Sequence, residues 1–84
     1  MHFVYVLKSE KDKNLYVGCT HNIYDRLKYH NAGKVSSTKS RRPLKLIFHE
    51  EYLDKYEAYR MEKYYKTAIG KRELKNKINH CGIV

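Results

Sequence analysis

Cysteine is scarce in this chain of 84 residues, and the two present, Cys19 and Cys81, stand neither in a Cys-x-x-Cys pair nor beside histidines at zinc-finger distances. That excludes a disulfide framework and a structural zinc site, and leaves both to be read as reduced thiols. Long apolar runs are missing too. Nothing approaches the ~18 residues of a membrane-spanning helix, and the opening MHFVYVLKSE lacks the basic and apolar segments of a signal peptide. A soluble, cytoplasmic protein with no membrane partner is expected. Length is a further shortage: a chain of this size buries one modest core, so residues 1–84 are read as a single domain. No internal repeat or low-complexity segment is visible.

Acidic side chains are also few, 9 against 18 Lys plus Arg, for a net charge of +9. That sign points to a polyanionic partner. Its distribution sharpens the point. Residues 26–45 carry Arg26, Lys28, Lys34, Lys39, Arg41, Arg42 and Lys45 with no acid, while five of the nine acids fall between Glu50 and Glu62. Such segregation builds one positive surface, as nucleic-acid binders require.

The β-branched and aromatic runs Phe3–Leu7 and Leu15–Val17, separated by the polar SEKDKN, read as an antiparallel hairpin. Pro43 to Tyr52 reads as a third strand with Leu44, Leu46 and Phe48 on one face and Lys45, Ile47 and His49 on the other. A first helix starts at the N-cap Asn22, with Asp25 three residues on, and ends before Gly33. A second starts at Asp54 and carries Ala58, Met61 and Tyr65 along one stripe, with Gly70 expected to stop it. A short third helix covers Lys71 to Ile78. The stretch Gly33 to Arg42 is expected to be a basic, mobile loop. The fold class is then α+β and sandwich-like: a central three-stranded antiparallel sheet flanked by helices, in the order β-β-α-β-α-α.

A four-residue hairpin loop, Glu10 to Lys13, sets a register in which Tyr5 faces Gly18 and Leu7 faces Tyr16. Tyr5 and Tyr16 then become diagonal neighbours on one face. Gly18 leaves room beside the Tyr5 ring. On the first helix Arg26 and His30 are four apart and share a side, and Glu62 borders the apolar stripe of the second.

Taken together, these residues resemble the GIY-YIG nuclease family, with Phe3-Val4-Tyr5 and Tyr16-Val17-Gly18 as its two signatures. The segment YVGCTHNIYDRLKYHNAGK, residues 16–34, is similar to the small stand-alone bacterial members of the URI type. Phe3 stands where the first glycine of the name motif would be. The resemblance implies a metal-dependent endonuclease acting on the phosphodiester bonds of nucleic acid, DNA first, in a setting such as repair or recombination. It makes Tyr5, Tyr16, Arg26 and His30 catalytic, with either tyrosine open as the base. Glu62 becomes the ligand of Mg²⁺ or another divalent cation such as Mn²⁺. Asn76 and Asn79 are the nearest candidates for a further family asparagine and receive no role.

A tyrosine at its ordinary pKa is ionised in roughly one molecule per thousand at neutral pH, so such a base needs positive charge nearby. Lys34, Lys39, Arg41, Arg42, Lys66 and Lys71 are the candidates for contacts to the nucleic-acid backbone. Substrate choice is left to the domain, a homodimer or a targeting partner. Two rival readings are a non-catalytic DNA- or RNA-binding module and an adaptor docking a protein through Tyr52, Tyr56, Tyr59, Tyr64 and Tyr65.

Overall fold

The computed structural model describes residues 1–80, without the side chain of His80, so Cys81 lies outside the described residues. The element order is β1 (His2–Ser9), β2 (Leu15–Thr20), α1 (Ile23–Asn31), β3 (Leu44–Tyr52), α2 (Lys55–Tyr64) and α3 (Ala68–His80), the β-β-α-β-α-α order expected. The sheet runs β2-β1-β3, antiparallel throughout. The hairpin register is the predicted one: Tyr5 pairs with Gly18 and Leu7 with Tyr16.

Alternation along the central strand β1 divides the core in two. Val4 and Val6 point to one face, where they meet Val17, Ala58, Tyr65 and Leu74 under α2 and α3. Tyr5 and Leu7 point to the other, where Leu44 joins them and Tyr16, Ile23, Leu27 and Leu46 pack around under α1. The third strand departs from the expected alternation. Between Val6/Phe48 and Leu7/Leu46 the register shifts by one, leaving Ile47 as the extra residue of a bulge. Phe48 therefore leaves the face of Leu44 and Leu46 and joins Ile47 on the α2/α3 side. His49 moves to the α1 side, against Phe3 at 6.0 Å between ring centroids.

Both expected N-caps are present: Asn22 accepts from the Asp25 amide and Asp54 from the Tyr56 amide. Gly33, at φ 78°, follows the end of α1. Gly70 does not stop α2. That helix ends at Tyr64, and Gly70 sits in the first turn of α3, where its amide donates to Thr67 Oγ1 at 3.0 Å. Its role is close approach: a Cβ there would run into the Tyr64 carbonyl. Gly70→Ala is expected to cost about 1–3 kcal/mol by overpacking the α2–α3 corner, read as a lower midpoint of thermal or urea unfolding. An unchanged midpoint would mean that the corner yields freely.

The 33–42 segment is tied down rather than loose. It contains a 3-10 turn at Lys39–Arg41, and Thr38 is fully buried. Ser9 Oγ donates to the Arg41 carbonyl at 2.7 Å, and Arg41 pairs with Asp12 at 3.0 Å. The tyrosines also sort. Tyr65 is buried and, with Tyr52 and Lys77, donates a hydrogen bond to Glu50, whereas Tyr56 and Tyr59 are exposed. Burial opposes ionisation of Glu50, but those three donors outweigh it and hold the carboxyl below its usual range.

Candidate active site

Four residues expected to act together do meet on the α1 face. Strand pairing puts Tyr5 and Tyr16 on that face with ring centroids 6.4 Å apart. Gly18 admits the Tyr5 ring, because a Cβ at that position would collide with the ring and its hydroxyl. From α1, His30 closes on both tyrosines, 5.9 Å from the Tyr5 centroid and 5.0 Å from that of Tyr16, edge-on in each case. Arg26, one turn earlier, donates from Nε to Tyr5 Oη at 3.4 Å.

These contacts belong to a chain of hydrogen bonds. Thr38 Oγ1 lies 2.8 Å from His30 Nδ1 and 3.5 Å from the Val35 carbonyl, and Tyr5 Oη lies 2.9 Å from His30 Nε2. A neutral imidazole carries one ring proton, so one of the two His30 nitrogens donates and the other accepts, and the tautomer sets which of Thr38 and Tyr5 is the donor. Tyr5 Oη in turn receives the Arg26 Nε–H. Val35, Thr38, His30 and Tyr5 thus anchor one edge of a guanidinium to the backbone of the 33–42 segment. The two terminal nitrogens of Arg26 keep no hydrogen-bond partner among the described residues and remain open to an oxyanion.

Burial sets the protonation states. Tyr5 is 1 % exposed, and burial pushes its pKa up to about 12 despite the opposing hydrogen bond from Arg26. His30 is fully buried; burial first, and the Arg26 charge second, lower its pKa and favour the neutral ring the chain requires. The hydrogen bond to Tyr5 raises the pKa of Arg26 further. Tyr16 differs, being half-buried, with a hydroxyl that has no hydrogen-bond partner among the described residues.

Glu62 comes from α2, whose apolar side packs on the opposite face of the sheet. Its charge still reaches the site. It adds to burial in raising the proton affinity of both Tyr5 and the Cys19 thiol. The carboxylate is 18 % exposed and pairs with Lys66 at 2.9 Å. Among the described residues no three His, Cys, Asp or Glu side chains converge to cage a metal. A cation here would rest on Glu62, with water and phosphate oxygens completing its shell and Lys66 giving way. Mg²⁺ suits that donor set, since it keeps several waters and needs only one or two carboxylates.

The backbone-contact candidates separate into two groups. Lys39 and Arg42 border a cavity of about 490 Å³ that also involves Lys11 and Asn31. There Arg42 Nε donates to the Lys39 carbonyl at 2.9 Å, while Arg41 is held by Asp12 and Lys34 lies over the Tyr29 ring. Lys66 and Lys71 border a different cavity of about 480 Å³, together with Lys13, Lys75 and Tyr16. The two linings share no residue. Thr38, Lys13 and Lys75 are the residues that reading along the chain missed.

An antiparallel hairpin presenting paired tyrosines to an arginine-and-histidine helix, with Glu62 on the next helix, defines a GIY-YIG domain. The chain belongs to that family: the GIY-YIG catalytic domain profile matches residues 1–79. Among its relatives is a UPF0213 protein of Staphylococcus haemolyticus, 44% identical over 88% of this chain and 90% of the relative. The UPF0213 protein YazA of Bacillus subtilis is 44% identical over 86% of this chain and 73% of its own. The solution structure of a UPF0213 protein from Bacillus halodurans is similar at a TM-score of 0.56 and 32% identity, covering 89% of this chain and 82% of that one. Family membership places the chain among nucleases that generally use a divalent metal. The relatives' names carry no reaction.

Proposed function

We propose that the protein is a metal-dependent endonuclease hydrolysing phosphodiester bonds of nucleic acid, with DNA as its first substrate. The observation that carries this reading is the hydrogen-bonded chain from Thr38 through His30 and Tyr5 to Arg26. It leaves two guanidinium nitrogens without a hydrogen-bond partner among the described residues, near the half-buried Tyr16, with Glu62 close enough for its charge to act on Tyr5. A pure binder has no use for Glu62 at that point, where a carboxylate repels phosphate.

Each residue has a separate task. Arg26 receives two phosphoryl oxygens and neutralises the charge that builds on them as phosphorus becomes five-coordinate. Tyr5 is a positioning residue: at a pKa of about 12 it would be ionised in roughly one molecule per 10⁵ at neutral pH. That leaves Tyr16 to orient the attacking water and take its proton. Arg26 supplies positive charge to the tyrosine pair. Glu62 would hold the Mg²⁺, which when bound polarises phosphate oxygens and stabilises the leaving alkoxide.

The test is incubation of pure protein, with and without Mg²⁺, against single-stranded, duplex, flap and RNA substrates. Cutting that needs Mg²⁺ and disappears in a folded Glu62→Ala variant is the expected outcome. Undiminished cutting by that variant overturns the site assignment, and the absence of cutting on every substrate overturns the activity.

A further inference from the structure

The cavity at the edge of β2 is walled by four lysines from separate parts of the chain. Lys13 comes from the β1–β2 turn, Lys66 from just beyond α2, and Lys71 and Lys75 from α3, four residues apart. Among the described residues no acidic side chain lines it. Lys66 is engaged with Glu62, but the ammonium groups of Lys13, Lys71 and Lys75 make no hydrogen bond or ion pair among the described residues. Holding these like charges around one space costs self-repulsion, which a bound anion removes. The other basic cavity is unlike it, because Arg42 is turned onto the Lys39 carbonyl there.

The identity of the anion follows from what borders the cavity. Tyr16 lies in its wall and packs against His30, and Lys66 pairs with Glu62, so the cavity adjoins the candidate active site. A polyanion held at Arg26 has in these lysines an adjoining set of positive charges. A basic groove with an aromatic ring at its wall is the general build of a single-strand path.

We propose that this cleft carries a single nucleic-acid strand away from the site, so that the substrate presents a single-stranded segment next to the cut and the 33–42 segment is not the main contact. The proposal rests on the nuclease reading only for the position of the scissile phosphate. Its test is therefore a binding measurement without divalent metal. Fluorescence anisotropy would follow labelled single-stranded DNA, single-stranded RNA of the same sequence, and blunt duplex DNA, at several salt concentrations. The proteins are the wild type, the triple variant Lys13→Gln/Lys71→Gln/Lys75→Gln, and Lys39→Gln.

The expected result is tighter binding of a single strand than of blunt duplex. The triple variant should lose about tenfold or more in single-strand affinity at low salt, and its log–log salt slope should flatten by about two, from roughly 0.7 per phosphate contact. Lys39→Gln should change little, and the tighter of the DNA and RNA strands identifies the source of the backbone. Wild-type affinity in the triple variant, or an equal loss for blunt duplex, overturns the proposal. If the triple variant weakens binding while no substrate is ever cut, the cleft stands and the nuclease reading falls.

Discussion

Arg26→Lys is expected to lower the single-turnover rate of cleavage almost as far as Arg26→Ala, by roughly 10²–10³ in both. Charge alone would predict otherwise, because lysine keeps it. The proposed function gives the side chain a geometric task that an ammonium cannot perform. Nε donates to Tyr5 Oη at 3.4 Å, which leaves the two terminal nitrogens for phosphate oxygens, and only a guanidinium offers that fork. Oligonucleotide affinity should change far less than rate, since the interaction grows as negative charge develops on the phosphoryl oxygens. Circular dichroism and the unfolding midpoint should stay near wild type, because Arg26 is half-buried at the site's edge and not a core residue. A lysine variant within about threefold of wild type would reduce Arg26 to a general counter-charge.

Much of this site was legible before the fold was known, and the reason is local. Hairpin register depends on loop length and alternation, both written in adjacent residues, so Tyr5 opposite Gly18 could be read directly. Helix caps are likewise local, and Asn22 and Asp54 both behave as expected. The misreadings share a different origin. Leu44, Leu46 and Phe48 alternate without a flaw, yet a bulge at Ile47 puts Phe48 across the sheet. Nothing in the pattern of β3 alone records the register of its partner. Gly70 looks like a helix stop, whereas its value lies in a close approach to Tyr64 that only tertiary packing creates. Lys13 and Lys75 join Lys66 and Lys71 at the β2-edge cavity from separate segments, and Thr38 sits in a polar stretch whose composition reads as solvent-exposed loop.

Thr38 is the clearest case, and its removal gives the second large effect expected here. In Thr38→Val the shape of the side chain is kept and the hydrogen-bond partner of His30 Nδ1 is lost, leaving a buried ring nitrogen unpaired. The ring proton is then no longer set from the Thr38 side, and the bond between Nε2 and Tyr5 Oη, on which Arg26 leans, loses its second anchor. Cleavage should fall by about 10–100-fold, the scale found for outer partners that orient metal-ligating histidines, and Thr38→Ser should restore most of it. Long-range ¹H–¹⁵N correlation of the His30 ring reads the tautomer directly, and wild type and Thr38→Ser should share one tautomer balance that Thr38→Val shifts. Because burial and the Arg26 charge depress the His30 pKa, activity should persist below the ordinary imidazole value and fall as pH drops through the depressed one. The linked stability has the same sign: the neutral ring's contribution is present above the unfolded-state pKa and is lost as pH falls through the folded one. A valine variant that keeps both the tautomer and the rate would leave Thr38 as packing alone and detach the 33–42 segment from catalysis.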